Sequence, residues 1–262
     1  MPFRTFPALT TVMEMLTAPS GTPVAVPLTP MGYDWLSFLA EPWFVIPWYA
    51  IGFAGAIWVI YDVLKKNTQV NTALKPAWPI IIFFFSVIGI VLYIWTCRPP
   101  GIGEKSGEEE KKVHHQYVTT TFRKVVGSAI HCVGGDGLGI MTAMVVARVI
   151  RVSFWQEFWF EYIVGFAFGW FIFQALSMSK MADSIPKMLW MAGRAEFFSM
   201  ITVMAGMGYV MSAVTPHVVG AQPMPNTFAF WGFGALGLLV GFIATYPMNL
   251  WLVKIGWKHG MS

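Results

Sequence analysis

One short segment of the sequence places three side chains that could do chemistry inside an otherwise apolar stretch. His131, Cys132 and Asp136 lie among five glycines between residues 125 and 149. On a helix, Cys132 and Asp136 share a face because they are four residues apart, whereas His131 points about 100° away from Cys132. An imidazole, a thiolate and a carboxylate are ligand types that bind copper or zinc. The segment predicts either a metal site or glycine-lined helix packing with one hydrogen bond from His131.

A second candidate group begins at Glu196, about as far into its own apolar segment as His131 is into the first. A buried carboxylate needs a partner, which is either a metal ion or a basic group such as Arg194. Met200 and Met204 follow on the same helical stripe, and their thioethers either bind copper(I) or pack against neighbouring helices. The predicted metal ligands are therefore His131, Cys132, Asp136, Glu196, Met200 and Met204.

The elements that must position these groups are membrane-spanning helices. Of the 262 residues, 56% are hydrophobic and only 11% are charged, whereas soluble domains carry about 25% charged residues. We expect an all-α integral membrane protein with about six transmembrane helices in one bundle. The glycine-rich third segment either crosses the membrane or re-enters. The predicted spans are residues 38–64, 78–97, 125–149, 158–178, 189–214 and 228–253.

The remaining segments are expected outside the bilayer. Residues 1–34 form a polar arm, and residues 35–262 form the membrane domain with a charged loop at 98–124. His114 and His115 lie in this loop, where we expect water around them. Glu157 and Glu161, one turn apart among aromatic residues, are expected to form a solvated face at the membrane interface.

The orientation follows from the distribution of Lys and Arg. With six spans, 12 basic residues fall on the face that holds both termini and five on the other. Because basic loops stay in the cytoplasm, this count predicts a protein of the cell membrane with both termini and the 101–120 loop inside.

Several function classes lack support. Lys and Arg lie between apolar runs rather than on a basic stripe, so nucleic acid is not an expected partner. The two cysteines do not form a recognisable disulfide framework. The sequence contains no phosphate-binding loop, dinucleotide fingerprint, nucleophile elbow or zinc-protease motif, so no motif supports catalysis.

Four motifs carry a family resemblance. The sequence AWPIII (77–82), the His-Cys segment with its glycines (131–139), FQALSM (173–178) and ATYPMNLWLVKIGWKHGM (244–261) together resemble the domain of unknown function 4396 family of bacterial and archaeal multi-pass membrane proteins. The resemblance implies a membrane fold but no established activity. The family typically carries a second cysteine four residues after the His-Cys pair and then Gly-Asp. Here Asp136 occupies the second cysteine position and Ile140 the Asp position.

The expected function is the binding, delivery or transport of a transition metal, copper above all. The alternative is a non-catalytic accessory subunit that packs into a larger membrane enzyme complex, and a redox or proton-transfer role ranks third. The expected partners are the lipid bilayer and either a membrane protein complex or further copies of the chain.

Overall fold

The computed structural model describes residues 32–174 and 184–258, whose regular structure is helical. This confirms the predicted all-α fold. The predicted arm at residues 1–34 lies almost wholly outside the described ranges. The helices are α1 (Pro42–Lys65), α2 (Leu74–Thr96), α3 (Gly107–Val118), α4 (Thr121–Ile150), α5 (Phe154–Ala167, continued by a π-helix at Phe168–Gln174), α6 (Ile185–Tyr209, continued by a π-helix at Val210–Val214 and a short α-helix at Thr215–Val219) and α7 (Phe228–Lys254), with 3-10 helices at Asp34–Ala40 and Ile102–Glu104.

Five helices in the described ranges are long and apolar enough to cross a membrane, namely α1, α2, α4, α6 with its continuation, and α7. The predicted fourth span, residues 158–178, corresponds to α5 and its π-helical continuation. These two pieces contain 14 and seven residues, which together extend about 30 Å. The last four residues of that predicted span lie outside the described ranges.

The helix α2 differs from the predicted second span because the chain reverses within it. Ser86 has φ 49° and ψ −124°, which breaks the helix. The rings of Trp78 and Tyr93 are 5.2 Å apart between centroids, whereas a straight helix would hold them about 22 Å apart. A Cβ atom on Gly89 would likewise touch the backbone of Ile82. We call α2 the re-entrant hairpin, since its two halves, residues 74–85 and 87–96, start and end at one face of the protein.

Contacts near the beginning of α1 define one face of the bundle, which we call the N-face. The Tyr49 hydroxyl donates a 3.0 Å hydrogen bond to the Trp231 carbonyl, which joins the beginnings of α1 and α7. The hydroxyls of Tyr33 and Tyr209 are 2.6 Å apart, so the end of α6 lies at the N-face too.

The opposite face, the C-face, is where α4 and α6 begin and where α5 and α7 end. Ser128 donates to Asn249 at 3.3 Å between α4 and the last turns of α7. The Trp170 indole donates to the Leu189 carbonyl at 2.9 Å between the end of α5 and the beginning of α6. The re-entrant hairpin starts and ends at the C-face, so the segments that run from one face to the other are α1, α4, α5 with its continuation, α6 and α7. Residues 32 and 258 therefore lie at opposite faces. The predicted location of the two termini concerns residues outside the described ranges and stays a prediction.

The charged loop folds into α3, which packs on the C-face. Glu110 accepts hydrogen bonds from the Thr68 backbone N–H at 2.7 Å and from its hydroxyl at 2.8 Å. His114 Nδ1 lies 2.8 Å from the amide oxygen of Asn67. Both Glu110 and His114 are buried, so the expectation of a fully solvated loop is wrong for this face of α3. His115, on the other face, is exposed.

An apolar cavity of about 330 Å³ lies between the tip of the hairpin and the Asp34–Ala40 helix. Two aromatic residues of its wall use their polar atoms elsewhere: the Trp48 indole donates to the Phe84 carbonyl, and the Tyr49 hydroxyl donates to the Trp231 carbonyl. The hairpin thus ends inside the bundle and leaves apolar space toward the N-face. The wall includes Leu36, Trp48, Tyr49, Phe85, Gly232 and Leu236.

Candidate functional site

The predicted polar segment lies in the middle of α4. This helix begins where the Thr120 hydroxyl accepts a hydrogen bond from the Arg123 N–H, and it ends at Arg151, whose φ is 55°. His131, Cys132 and Asp136 are all fully buried. Cys132 and Asp136 lie one turn apart on the same face, while the His131 side chain leaves the helix about 100° further round.

Glu196 of α6 lies against Cys132. The Cys132 thiol donates to Glu196 Oε2 at 3.3 Å, and both residues are fully buried. The structure thus brings together two predicted site residues that are distant in sequence. Arg194, the alternative partner for Glu196, instead lies with its guanidinium 4.7 Å from the centre of the Trp257 ring.

The carboxylates of Asp136 and Glu196 face each other beside Gly169. A Cβ atom on Gly169 would overlap Asp136 Oδ1 and Glu196 Oε1 at once, so these two oxygens are close neighbours. Within residues 32–174 and 184–258, no donor group gives a hydrogen bond to either Asp136 oxygen or to Glu196 Oε1. Gly169, in the π-helical stretch, therefore leaves room for two carboxylates. In these ranges the Cys132 thiol donates to Glu196 Oε2, while the other three oxygens accept no hydrogen bond.

Lys258 supplies the positive charge of the site. Its Nζ donates to Cys132 Sγ at 2.5 Å and to the Ser199 hydroxyl at 3.1 Å, and the side chain is 1% exposed. Burial lowers the pKa of Lys258, but the neighbouring Cys132, Glu196 and Asp136 raise it by more, so the pKa lies above its ordinary value. Lys258 is therefore a buried ammonium.

We call the group of Cys132, Asp136, Glu196, Ser199 and Lys258 the polar centre. Its sulphur lies 3.3 Å from Glu196 Oε2 and 2.5 Å from Lys258 Nζ. With the thiol protonated, two carboxyl groups face a single ammonium within the described ranges. Charge inside a membrane protein is costly unless it is paired, so the polar centre lacks one positive charge, which either a proton or a bound cation can supply.

Hydroxyl and amide groups extend the polar centre toward the C-face. The Thr245 hydroxyl donates to the Ser199 carbonyl at 3.4 Å, and the Asn249 amide donates to the Thr245 hydroxyl at 3.1 Å. Asn249 in turn accepts from Ser128, one turn before Cys132 on α4. These contacts form a short polar path along the interface of α4, α6 and α7.

The two predicted methionine ligands, Met200 and Met204, are both buried in the hydrophobic core. The methyl group of Met200, one turn beyond Glu196, lies beside Gly165. Within the described ranges, no group of three or more His, Cys, Asp and Glu side chains is arranged to hold a metal ion.

A second buried ionic group lies near the N-face, where a solvated surface was expected. Arg148 of α4 donates to Glu157 of α5 at 2.7 Å, and it also donates to the Gln222 side chain at 3.1 Å and to the Pro223 carbonyl. Glu157 and Glu161 are both buried. The expectation of a solvated interfacial face is wrong, because both side chains are buried and Glu157 forms its ion pair with Arg148 inside the protein.

Sequence reasoning missed three residues of the site. A basic residue just after the last span resembles an orientation signal, so nothing in the sequence marked Lys258 as buried. Ser199 is an ordinary small residue within a span. Gly169 follows Gly165 at the spacing typical of helix packing, although the two carboxylates beside it explain why no side chain fits there.

Comparisons with known proteins give two family matches. Residues 54–96, the second half of α1 and the re-entrant hairpin, match the model of the family described as Phospholipase_D-nuclease N-terminal. No curated protein and no solved structure matches the chain. A second family model matches residues 121–258, more than half of the chain, and includes every residue of the polar centre. The chain therefore belongs to the membrane protein family described as Domain of unknown function (DUF4396).

Proposed function

We propose that this protein binds a soft monovalent cation, copper(I), at Cys132, Asp136 and Glu196 and moves it through the membrane. The observation that carries this proposal is the missing positive charge of the polar centre, where two buried carboxyl groups face one ammonium. A copper(I) ion on the Cys132 sulphur restores the balance when the thiol proton passes to Glu196, which already accepts a hydrogen bond from that thiol. Intramembrane ionisable groups that share a buried site mark ion pathways more often than packing.

The sulphur atoms favour copper(I) over hard cations. Cys132 supplies a thiol that becomes a thiolate ligand when it loses its proton, and thiolates and thioethers select copper(I). Met200 lies one turn beyond Glu196, with its methyl group beside Gly165. Magnesium or calcium ions instead prefer shells made of oxygen atoms alone. Because the polar centre is not a preformed metal shell, its side chains have to close around the ion as it enters.

A second candidate function, proton transfer, is favoured by one specific observation. The Asp136 and Glu196 oxygens are neighbours beside Gly169, and two carboxyl groups at such a distance hold one proton between them. A site that moves only protons has no need of sulphur. Whether the protein's function requires the Cys132 sulphur therefore distinguishes copper(I) binding from proton transfer.

The test compares the two cysteines of the chain. The copper(I) affinity of the purified protein is measured in detergent under reducing conditions, by competition with a coloured copper(I) chelator. We expect the wild-type protein to bind one copper(I) and Cys132→Ser to weaken binding by more than about tenfold. Cys97→Ser is the matched control, since Cys97 is also buried but lies at the foot of the re-entrant hairpin. Equal affinities of the wild-type protein and Cys132→Ser contradict the copper proposal.

A further inference from the structure

The tip of the re-entrant hairpin lies about halfway through the membrane. Its first half, residues 74–85, extends about 18 Å from the C-face, whereas the hydrocarbon core of a bilayer is about 30 Å thick. The Phe85 ring at the tip lies 5.8 Å from the ring of Phe242, near the middle of α7. The apolar cavity described above therefore lies between the middle of the membrane and the N-face.

The cavity has the depth of one lipid leaflet. Its wall follows α7 from Leu239 to Gly232, a distance of about 10 Å. At the N-face the Asp34–Ala40 helix closes it, and this helix packs so tightly on α7 that a Cβ atom on Gly232 would overlap the Leu39 carbonyl. The acyl chains of one leaflet fill half of the hydrocarbon core, about 15 Å, and thus reach the same levels.

One side of the cavity opens onto the surface that faces lipid. Ile88 of the hairpin borders the cavity and is 38% exposed. One turn further along each element, the surface continues with the exposed apolar side chains of Val91 on the hairpin and Ile243 on α7. Because the opening and its surroundings are apolar, a hydrocarbon chain can enter sideways from the bilayer.

The wall of the cavity suits hydrocarbon and not water. Apart from Trp35, Trp48 and Tyr49, it consists of aliphatic side chains, phenyl rings and one glycine. Trp48 and Tyr49 already donate to backbone carbonyls. Apolar cavities stay free of water, and an empty cavity forfeits the dispersion contacts of its wall. A methylene chain supplies these contacts without needing a hydrogen bond.

The N-face rim of the cavity favours a headgroup that carries an ammonium. Trp35 and Trp43 are 69% and 66% exposed there, as is typical of tryptophans at the level of lipid headgroups. Asp34 and Glu41, at the two ends of the 3-10 helix, are exposed as well. Aromatic faces and carboxylates attract a quaternary or primary ammonium, whereas the two carboxylates repel an anionic headgroup.

We propose that this cavity binds one acyl chain of a phospholipid from the leaflet at the N-face, with an ammonium-bearing headgroup beside Trp35 and Trp43. The chain enters between the hairpin and α7 and ends at Phe85. It fills the space beyond the hairpin tip, so the tip packs against hydrocarbon on the side that the protein leaves open. This lipid site is separate from the polar centre and does not depend on copper binding.

The first measurement uses the wild-type protein. It is reconstituted into phosphatidylglycerol vesicles that contain a small fraction of phosphatidylcholine with a diazirine at the end of one acyl chain. After illumination, mass spectrometry should find cross-links on Phe85 and Ala235, which are buried and line the cavity. A phosphatidylglycerol probe with the same chain should label these residues about threefold less or weaker, because its headgroup is anionic.

The second measurement fills the cavity. Ala235→Phe places a ring inside it, so the cross-links on Phe85 should fall by more than about fivefold. Ala50→Phe is the matched control, since it adds the same ring to an exposed position on α1, and it should leave these cross-links unchanged. The wild-type result remains decisive if Ala235→Phe does not fold.

Three results would overturn the proposal. Cross-links confined to exposed residues such as Val91 and Ile243 would show that the acyl chain stays outside the protein. Cross-links on Phe85 that appear only after removal of residues 1–31 would show that those residues fill the cavity instead. Equal labelling by the two probes would reject the ammonium-bearing headgroup.

Discussion

Cys132 uses both its proton and its sulphur lone pairs. It donates to Glu196 and accepts from Lys258, whereas a lone buried cysteine behaves as a small hydrophobic residue. The same residue therefore connects the acidic and the basic half of the polar centre. Any reaction of the thiol, including metal binding, has to displace the Lys258 ammonium or the Glu196 carboxyl group first.

At residue scale, Gly169→Ala should destabilise the protein. The added methyl group would overlap the carboxylates of Asp136 and Glu196, and overpacking of this kind costs about 1–3 kcal/mol. Thermal unfolding in detergent, followed by tryptophan fluorescence, measures the change. Gly208→Ala is the control, since a Cβ atom there meets nothing within 4 Å. Equal stability of the two variants would show that Gly169 is not closely packed against the acids.

A second prediction concerns the buried ion pair near the N-face. Glu157→Gln should lower the free energy of unfolding by about 1–3 kcal/mol, because it removes the carboxylate that is hydrogen-bonded to the buried Arg148 guanidinium. Glu108→Gln removes a carboxylate that is almost fully exposed and should change little. The unfolding temperatures of both variants provide the comparison. A similar unfolding temperature for both would mean that water reaches Arg148.

At the scale of elements, the re-entrant hairpin and α3 act as one unit on the C-face. The Asn67 amide donates to the Tyr93 hydroxyl at 3.2 Å and to the Cys97 carbonyl at 3.1 Å, and Tyr93 donates to Asp62 at 2.7 Å. His114 completes this network from α3. The polar network ties the foot of the hairpin to the end of α1, so the hairpin is held at its base while its apolar tip lies inside the bundle.

Ser86 allows a direct test of the hairpin. Its φ of 49° is unfavourable for every residue except glycine, and its buried hydroxyl has no hydrogen-bond partner in the described ranges. Ser86→Gly should therefore stabilise the protein by about 1 kcal/mol, and Ser86→Val should destabilise it, as measured by thermal unfolding. The opposite order is expected of a straight helix and would rule out the reversal.

The docking of α3 should depend on pH through His114. Because Asn67 donates through its amide nitrogen, its oxygen accepts from His114 Nδ1–H, and Nε2 is buried without a partner in the described ranges. Burial lowers the pKa of His114 from 6.5 to about 4. The undocked helix therefore takes up a proton first as the pH falls, and docking weakens between pH 6.5 and about 4.

Hydrogen exchange of residues 107–118 over this pH range measures the docking of α3. Glu110 also carries a titratable carboxyl group close to this contact, so variants are needed to assign the effect. His114→Asn can still donate to Asn67 but does not titrate, and it should remove the dependence above about pH 5. His115→Gln changes an exposed side chain and should retain it. An unchanged pH profile in His114→Asn would assign the effect to Glu110.

The sequence predicted the helices and three of the five residues of the polar centre for identifiable physical reasons. Ionisable groups in apolar segments are costly, and this cost alone singles out Cys132, Asp136 and Glu196. Hydropathy reports how apolar a segment is and not which way it runs, so it could not distinguish the hairpin from a crossing helix. Lys258 was missed because its burial depends on the turn at Gly256. The periodic spacing of apolar residues in the sequence does not reveal such a turn.

At the scale of the whole molecule, the hairpin changes how the basic residues are distributed between the two faces of the protein. With five crossings, 13 of the 15 Lys and Arg residues in the described ranges lie at the C-face, and only Arg148 and Arg151 lie at the N-face. Lys65, Lys66 and Lys75, which six crossings would place on the face with fewer basic residues, lie on the same face as most of the others when five segments cross. The C-face is therefore expected in the cytoplasm and the N-face outside.

Single introduced cysteines test this orientation in intact cells with a membrane-impermeant maleimide. Asn226→Cys, in the loop at the N-face, should be labelled. Lys112→Cys and Lys66→Cys should be labelled only after permeabilisation, because both residues are exposed at the C-face. Unmodified protein is the control, since its two cysteines are buried. Lys66→Cys decides between the topologies, because six full crossings would place it on the same side as Asn226.

The re-entrant hairpin also constrains how the protein is synthesised. Among the apolar helices, α2 has the highest hydropathy, so an insertion machinery that responds to hydropathy alone would release it as a full crossing. Every later helix would then be inserted upside down, and the six basic residues between Arg98 and Lys124 would have to be translocated. We expect retention of that basic segment on the ribosome side to pull the second half of α2 back while the chain is still emerging. The topology would then be decided during translation, by charges that follow the hairpin rather than by the hairpin itself.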